Sequence, residues 1–360
     1  MPVYLDHNAT TPLRPEARDA MIDAMGPALN PSSIHASGRA ARQKVEDARH
    51  QLAEGLGVRH ADLTFTSGGT EANNMVLTGF QHVFVSAVEH DAVLAPRPDA
   101  TILPVDESGV VQLAALQESL AALPDAERKN TLVSIMAANN ETGVIQPLAE
   151  IAEICAANQV ALHSDMVQAA GKMPLDFTLD GLTFASFSAH KIGGPTGVGA
   201  LWMRSGSQIP AFIQGGGQEQ GRRAGTENTL GIIGFGAAMM AAASDHAHLA
   251  KLEAWRDEAE AELADLQGTI SILGQGAPRL PNTSAIALPD KPSHIILMTL
   301  DLKGIQISSG SACSSGKVKE SHVINAMGLP HLASHILRIS GGWNSKHEDF
   351  QMLVKAIQSL

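Results

Sequence analysis

The sequence predicts an α/β protein: a mostly parallel seven-stranded sheet covered by helices, plus a smaller α+β region toward the C-terminus. Three observations carry this. From about residue 62 to 203, short apolar runs of strand length alternate with segments of helical period, and that alternation is the pattern of βαβ units. Glycine is abundant at 33 residues while aromatic residues make up only 4%, a balance that suits many close backbone approaches better than an all-β sandwich. After about Gly268 the order changes to strand, strand, helix, loop, helix, strand, helix. A chain of 360 residues is long enough for two domains. The expected division is a large domain over 15–250 and a small α+β domain formed by 1–14 and 251–360.

The expected strands are Asp62–Thr66, His82–Ala87, Thr101–Val105, Thr131–Ala138, Val160–His163, Leu182–Phe187 and Gly199–Met203, each a short apolar run. Between them, Thr70–Phe80, Val111–Leu123 and Leu148–Asn158 carry apolar residues at helical spacing. Two Ala-rich helices follow over Leu230–Ala243 and His246–Leu266, read as core and interface. The last third gives strands at Ile270–Leu273 and Ser284–Leu288, a helix at Ser293–Leu302 and a Ser/Gly loop at Ser308–Gly316. It ends with a helix at Lys317–Met327, a strand at Ile336–Ser340 and a helix at Lys346–Gln358.

Charge and composition exclude several functions. Lys and Arg number 25 against 37 Asp and Glu, a net −12, which argues against nucleic acid or an anionic membrane as partner. No run approaches 18 uninterrupted apolar residues, so no membrane span is expected. Two cysteines, Cys155 and Cys313, make neither a disulfide framework nor a structural zinc site, and no metal is expected. Met1–Asp6 lack a basic start followed by an apolar run, so no secretory signal and a reducing, cytoplasmic setting are expected.

Four stretches carry chemistry. In Ser186–Pro195 a strand ends in Ser188, His190 and Lys191 and then breaks into Gly and Pro. Ligands of α/β sheets bind at such strand ends, and a lysine there serves as an imine-forming amine with Ser and His as phosphate donors. Read alone, the stretch is equally a surface loop with an incidental lysine. Ser67, Gly68, Gly69, Thr70 and Glu71 open a helix after a strand; the free N–H groups there cradle phosphate, and simple capping explains them as well. Asp165 lies past a strand end with Gln168 three residues on, either a carboxylate that keeps a pyridinium nitrogen protonated or a cap of the next turn. His90, between Glu89 and Asp91, follows another strand and suits ring stacking or proton transfer, although a lone histidine is more often neither.

Together, in this order and spacing, these stretches resemble the class V pyridoxal-phosphate aminotransferase family of fold type I. More narrowly, the chain resembles the cysteine desulfurases of the iron–sulfur-cluster and nitrogen-fixation type. The resemblance runs nearly end to end, from Tyr4–Asp6 and Ala9–Pro12, through Asn30–Ser33, Asn139–Glu141, Gly215–Gly217 and Arg223–Thr226, to Ser308–Cys313 and Arg338–Ser340. It implies a cofactor, pyridoxal 5′-phosphate, in the large domain. Lys191 matches the lysine that bonds the cofactor and moves substrate protons, and His90 the stacking, acid–base histidine. Asp165 matches the partner of the pyridine nitrogen and Gln168 that of the phenolic oxygen. Thr70, Ser188 and His190 match phosphate ligands, with Gly69 beside them. Thr226 matches a threonine given to the phosphate of the second subunit, which implies a homodimer. Asn139 and Arg338 match the residues that hold the substrate carboxylate, for which a guanidinium offers a bidentate fork.

Cys313 matches the persulfide-forming nucleophile. Its Ser/Gly loop packs little and gives reach, and the longer Ser-Ser-Gly-Ser-Ala-Cys form assigns one of the two desulfurase subgroups. Cys155, beside Ile151 and Ile154, reads as a buried helix residue. The implied reaction removes sulfur from L-cysteine, leaves alanine and passes the sulfur to an acceptor protein, for iron–sulfur cluster assembly or tRNA thiolation. The rivals are a selenocysteine lyase, a class V aminotransferase acting on serine or alanine, and a non-catalytic scaffold. The chain departs from the usual pattern at Gly193, Gln214, Gln218, Gly341 and Trp343, none of them a matched catalytic position.

Overall fold

The computed structural model describes residues 2–265, 270–310 and 320–360. In chain order the elements begin with β1 (Val3–Tyr4), α1 (Pro15–Ala24), α2 (Ala36–Leu56), β2 (Leu63–Thr66), α3 (Gly69–Leu77), β3 (His82–Ser86) and α4 (Asp91–Leu94). Next come β4 (Thr101–Leu103), α5 (Leu113–Ala121), β5 (Thr131–Ser134), α6 (Leu148–Ala157), β6 (Ala161–Asp165), β7 (Leu182–Ser188) and β8 (Gly199–Met203). The remainder is α7 (Thr229–Ala243), α8 (His246–Ala264), β9 (Ser271–Ile272), β10 (Thr283–Ala287), α9 (Ser293–Leu302), β11 (Ile305–Gln306), α10 (His322–Ala326), β12 (Ile336–Ser340) and α11 (His347–Gln358).

Strands β2 to β8 form one seven-stranded sheet in the order β2-β8-β7-β6-β5-β3-β4. β8 runs antiparallel to β2 and β7, and the other neighbours pair parallel. The strands β2, β5 and β8 are buried at every position; β8 reads as a continuous apolar run, whereas β2 and β5 bury threonine and serine among their apolar residues. The expected strand Thr131–Ala138 pairs formally only to Ser134, yet Ile135 and Ala137 still donate to the carbonyls of His163 and Asp165. A smaller antiparallel sheet has the order β12-β10-β9, and β1 pairs parallel with β11.

Three helices lie where the sequence reading places none: α1, α2 and the one-turn α4. α1 and α2 precede residue 70, and α2 runs 21 residues. The buried stripe of α2 is largely small, with Gly38, Ala41, Ala48 and Ala53 among its members, so the apolar period is faint against many charged neighbours. Small residues are what its packing on α7 requires. A Cβ at Gly236 would come within 2.8 Å of the Ala48 carbonyl oxygen, and one at Gly55 within 2.5 Å of Met239 Cγ.

The main core joins Phe65, Leu162, Phe187, Phe235 and the side chains of α6, Cys155 included. A second cluster joins Leu252, Ile286, Leu300, Ile339 and Phe350. The N-terminal segment runs between the two sheets. His7 N–H donates to the Ser340 carbonyl and Ser340 N–H to that of Leu5, while Thr11 N–H donates to the His190 carbonyl. Among the described residues no helix is long and apolar enough to cross a membrane. Cys313 and residues 317–319 of the helix expected at Lys317–Met327 lie outside the described residues, and α10 begins at His322.

Candidate active site

A cavity of about 320 Å³ opens at the carboxyl ends of the parallel strands, where ligands of such sheets bind. Strand β7 ends at Ser188 and the chain turns through Ala189–Lys191, which projects Lys191 into it. Lys191 Nζ donates to the carbonyls of Asn8 at 2.6 Å and Ala9 at 2.8 Å. Burial, reinforced by the Arg338 charge, lowers its pKa to about 8, against the opposing pull of Asp165 and Asp6. A lysine in this state is a competent nucleophile and base near neutral pH.

Asp165 ends β6, buried at the cavity wall. Asn73 Nδ2 donates to its Oδ2 at 2.7 Å and the Val167 N–H to its Oδ1 at 3.0 Å, which fixes the carboxylate plane. Gly69 opens α3 beside it, and a Cβ there would come within 2.6 Å of Val167 Cγ2, so the close approach of helix and strand end requires glycine. Thr70 follows in the first turn and lines the cavity together with Ser188 and His190. His190 Nδ1 and Thr10 Oγ1 lie 2.6 Å apart; burial, with Lys191 and Lys172 nearby, lowers the imidazole pKa to about 4 and keeps the ring neutral.

His90 caps α4, its Nδ1 accepting the Ala92 N–H at 3.0 Å. Gln168 donates from Nε2 to the Asn8 carbonyl at 2.9 Å and accepts from Lys172 Nζ at 2.8 Å. Arg338, in β12, closes the far wall. Its Nη2 pairs with Asp6 at 2.8 Å and its Nη1 reaches the Asn140 carbonyl at 3.2 Å, while its buried Nε has no partner among the described residues.

The structure thus brings Gly69, Thr70, His90, Asp165, Gln168, Ser188, His190, Lys191 and Arg338 to one cavity. It does not bring Asn139 or Thr226 there. The Asn139 amide donates to the Val88 carbonyl and accepts from the N–H groups of Glu141 and Thr142; it shapes the turn, and Asn140 lines the cavity in its place. Thr226 is exposed outside the cavity of its own chain. Cys155 is fully buried in α6, and burial pushes its thiol up to about 12. Reading the sequence missed Asn8, Asn73, Glu141, Lys172 and His322. Only the Gln168–Lys172 spacing of four, one helical turn, carried a local signal.

The Aminotransferase class-V family model matches residues 3–353. The chain belongs to the class V aminotransferase family. Its class V relatives include a "Cysteine desulfurase IscS" of Dictyoglomus turgidum, 38% identical over 99% of this chain and 94% of the relative. A "Cysteine desulfurase" of Cereibacter sphaeroides is 40% identical over 92% of this chain and 88% of the relative. The X-ray structure of a NifS-like protein from Rickettsia africae superimposes with a TM-score of 0.93 at 37% identity, covering 100% of this chain and 99% of that one.

Class V enzymes depend on pyridoxal 5′-phosphate, and the residues present fit it. The cavity offers an amine of lowered pKa in Lys191, a fixed carboxylate in Asp165 and a Gly-Thr helix start for an anion. On the far wall the Arg338 Nε has no partner among the described residues, and its guanidinium suits a carboxylate.

Proposed function

We propose that this protein is an L-cysteine desulfurase that forms alanine and a persulfide on Cys313 and passes the sulfur to an acceptor protein. The observation that carries this is the joint presence of Lys191, Asp165 and Arg338 around one cavity in a chain whose relatives are cysteine desulfurases. Pyridoxal 5′-phosphate, when bound, supplies the electron sink for negative charge at the α-carbon of the amino acid. Lys191, Ser188, His190, Thr70 and Gly69 would hold it, His90 would stack on it, and Asp165 and Gln168 would bond its pyridine nitrogen and phenolic oxygen. Arg338 grips the substrate carboxylate, with Asn139 shaping the turn that carries Asn140 beside it. Lys191 takes the α proton, since its lowered pKa leaves a useful fraction of free amine near pH 7. The Cys313 thiolate then attacks the substrate sulfur. A new S–S bond forms, the C–S bond breaks with its electron pair returning to carbon, and a proton from the site completes alanine.

The enzyme works as a homodimer in this reading. The segment carrying Thr226 is tied to the phosphate helix by the Arg223–Glu71 ion pair at 2.9 Å, and Thr226, exposed on its own chain, reaches the phosphate of the partner. The large domain (15–250) and the small one (1–14 and 251–360) divide within α8, whose Leu252, Ala259 and Leu263 pack in the second cluster. The setting is cytoplasmic, with an iron–sulfur scaffold or a carrier for tRNA thiolation as acceptor.

The test is alanine and sulfide formation from L-cysteine with reductant. The parent makes both in equal amounts. Cys313→Ser keeps the cofactor and exchanges the α proton, yet makes almost no alanine. Alanine at the parental rate from that variant would overturn the persulfide step, and a parent that yields neither product would overturn desulfuration.

A further inference from the structure

One buried amine has no part in the reaction above. Lys172 is 9% exposed and lies four residues after Gln168. Its Nζ donates to Gln168 Oε1 at 2.8 Å and to Asn8 Oδ1 at 2.9 Å, both neutral amide oxygens. Burial and the neighbouring cations Lys191 and Arg338 push its pKa well below the usual lysine range. The amine donates a hydrogen to each of these two oxygens.

The consequence falls on Gln168. The two ends of a glutamine amide are alike in shape, but only the oxygen accepts from Lys172. Oε1 is therefore held away from the cavity. Nε2 donates one hydrogen to the Asn8 carbonyl at 2.9 Å, and its second hydrogen remains for the cavity that Gln168 lines. Lys191 Nζ donates to the same Asn8 carbonyl at 2.6 Å. Gln168 Nε2 and Lys191 Nζ are thus neighbours around one oxygen, and a ligand bonded at Lys191 meets an N–H donor and not a carbonyl.

We propose that Lys172 is a positioning residue that locks the Gln168 amide, so that it presents N–H to the cofactor oxygen nearest Lys191. This rests on the cofactor reading given above. A donor there stabilises the anionic form of that oxygen and so lowers the proton affinity of the adjacent nitrogen. Without Lys172 the amide is free to turn its carbonyl inward, and the proton affinity rises.

The experiment measures the pH at which the visible absorbance of the loaded enzyme titrates, and the dissociation constant of pyridoxal 5′-phosphate from the apoenzyme. Arg338, Asp165 and Asp6 face Lys191, while His7 and His190 face Lys172 with pKa values of about 3 and 4; all stay unchanged in sequence, and the two histidines remain neutral over the titration range. Lys172→Met is expected to raise the proton affinity about threefold to tenfold, the size of one net hydrogen bond, and to weaken cofactor binding by a similar factor. Gln168→Leu gives the same shift, and the double variant shifts no further than Gln168→Leu alone. Lys172→Gln, which keeps a donor at shorter reach, falls between the parent and Gln168→Leu and serves where Lys172→Met does not fold. Unshifted titration in both Lys172 variants, or a Lys172→Met shift that persists in the Gln168→Leu background, overturns the proposal. A parent with no visible band overturns the cofactor reading and this inference together, whereas a parental band with unshifted variants overturns the inference alone.

Discussion

The wall of the cavity that carries Lys191 and Asp165 comes from the strand ends of a single sheet within residues 69–191, whereas the wall that carries Arg338 is assembled from three segments far apart in the chain. On the first wall each group is held by near neighbours: Asp165 by Val167 and Asn73, Lys191 by the turn that follows β7. On the second, Arg338 depends on Asp6 and on the Asn140 carbonyl, and Asp6 is placed by a bridge to Ser340. One wall is therefore fixed by parallel-sheet hydrogen bonds, and the other by the docking of the small sheet through the N-terminal segment. The first suits bond-making, where small displacements are costly. The second suits substrate binding.

If that division holds, substitutions on the first wall lower turnover and those on the second raise the requirement for substrate. Lys191→Ala removes both the proposed covalent anchor and the proposed base. The expected loss in kcat is the largest here, about 10²- to 10⁴-fold for the proton transfer alone, with no borohydride-fixed cofactor on the protein by mass spectrometry. Asp165→Asn keeps the shape and the Asn73 contact but removes the charge, and α-proton exchange of cysteine, followed in deuterium oxide, is expected to slow by roughly 10²-fold. Parental exchange in that variant would show that the first wall does no electrostatic work.

Arg338→Ala sharpens the contrast from the other side. In the proposed reaction it removes a charge-assisted hydrogen bond to the substrate, worth about 1.5–3 kcal/mol, so KM for cysteine is expected to rise about 10- to 100-fold while the cofactor stays bound. A fall in kcat with KM unchanged would move Arg338 to the first wall.

The same contrast explains what could be read from the sequence. The first wall was legible because each βα turn brings its own chemistry within a few residues: Gly69–Thr70, Asp165–Gln168, Ser188–Lys191. All seven strands were legible because each is a short segment rich in apolar residues, set off from its neighbours by helical or turn sequence. The second wall was legible only through resemblance, at Arg338. Asn8, Asn73 and Lys172 are ordinary polar residues until the fold brings them together. Asn139 and Asn140 are adjacent in sequence, and only the turn hydrogen bonds decide which one faces the cavity. α2 escaped notice because helix packing through Ala and Gly leaves little hydrophobic period.

The smallest expected effect concerns Glu89, where the two walls meet. Its Oε1 accepts from Ser86 at 2.7 Å and from the Met136 N–H at 2.8 Å, and its main-chain carbonyl accepts from His322 Nε2 at 2.9 Å. Oε2 is buried and has no partner among the described residues. Burial, with a smaller push from the nearby Asp165 charge, raises the carboxyl pKa to about 8 in spite of the two hydrogen bonds, against about 4.3 in an unfolded chain. The folded protein holds this proton more tightly than the unfolded chain does. The stability it contributes is therefore fully present below about pH 4.3 and is lost as pH rises through 8. Glu89→Gln mimics the protonated side chain at every pH. Parent and variant are expected to unfold in denaturant with similar free energies near pH 4, the variant pulling ahead as pH rises, by at least about 1 kcal/mol at pH 8, the cost of a buried unpaired group. Urea titrations of both proteins at intervals from pH 4 to 9 measure the gap. Curves that stay parallel across the range would mean that the parental carboxyl ionises in the folded protein as easily as in the unfolded chain, and that the junction of the two walls holds a charge and not a proton.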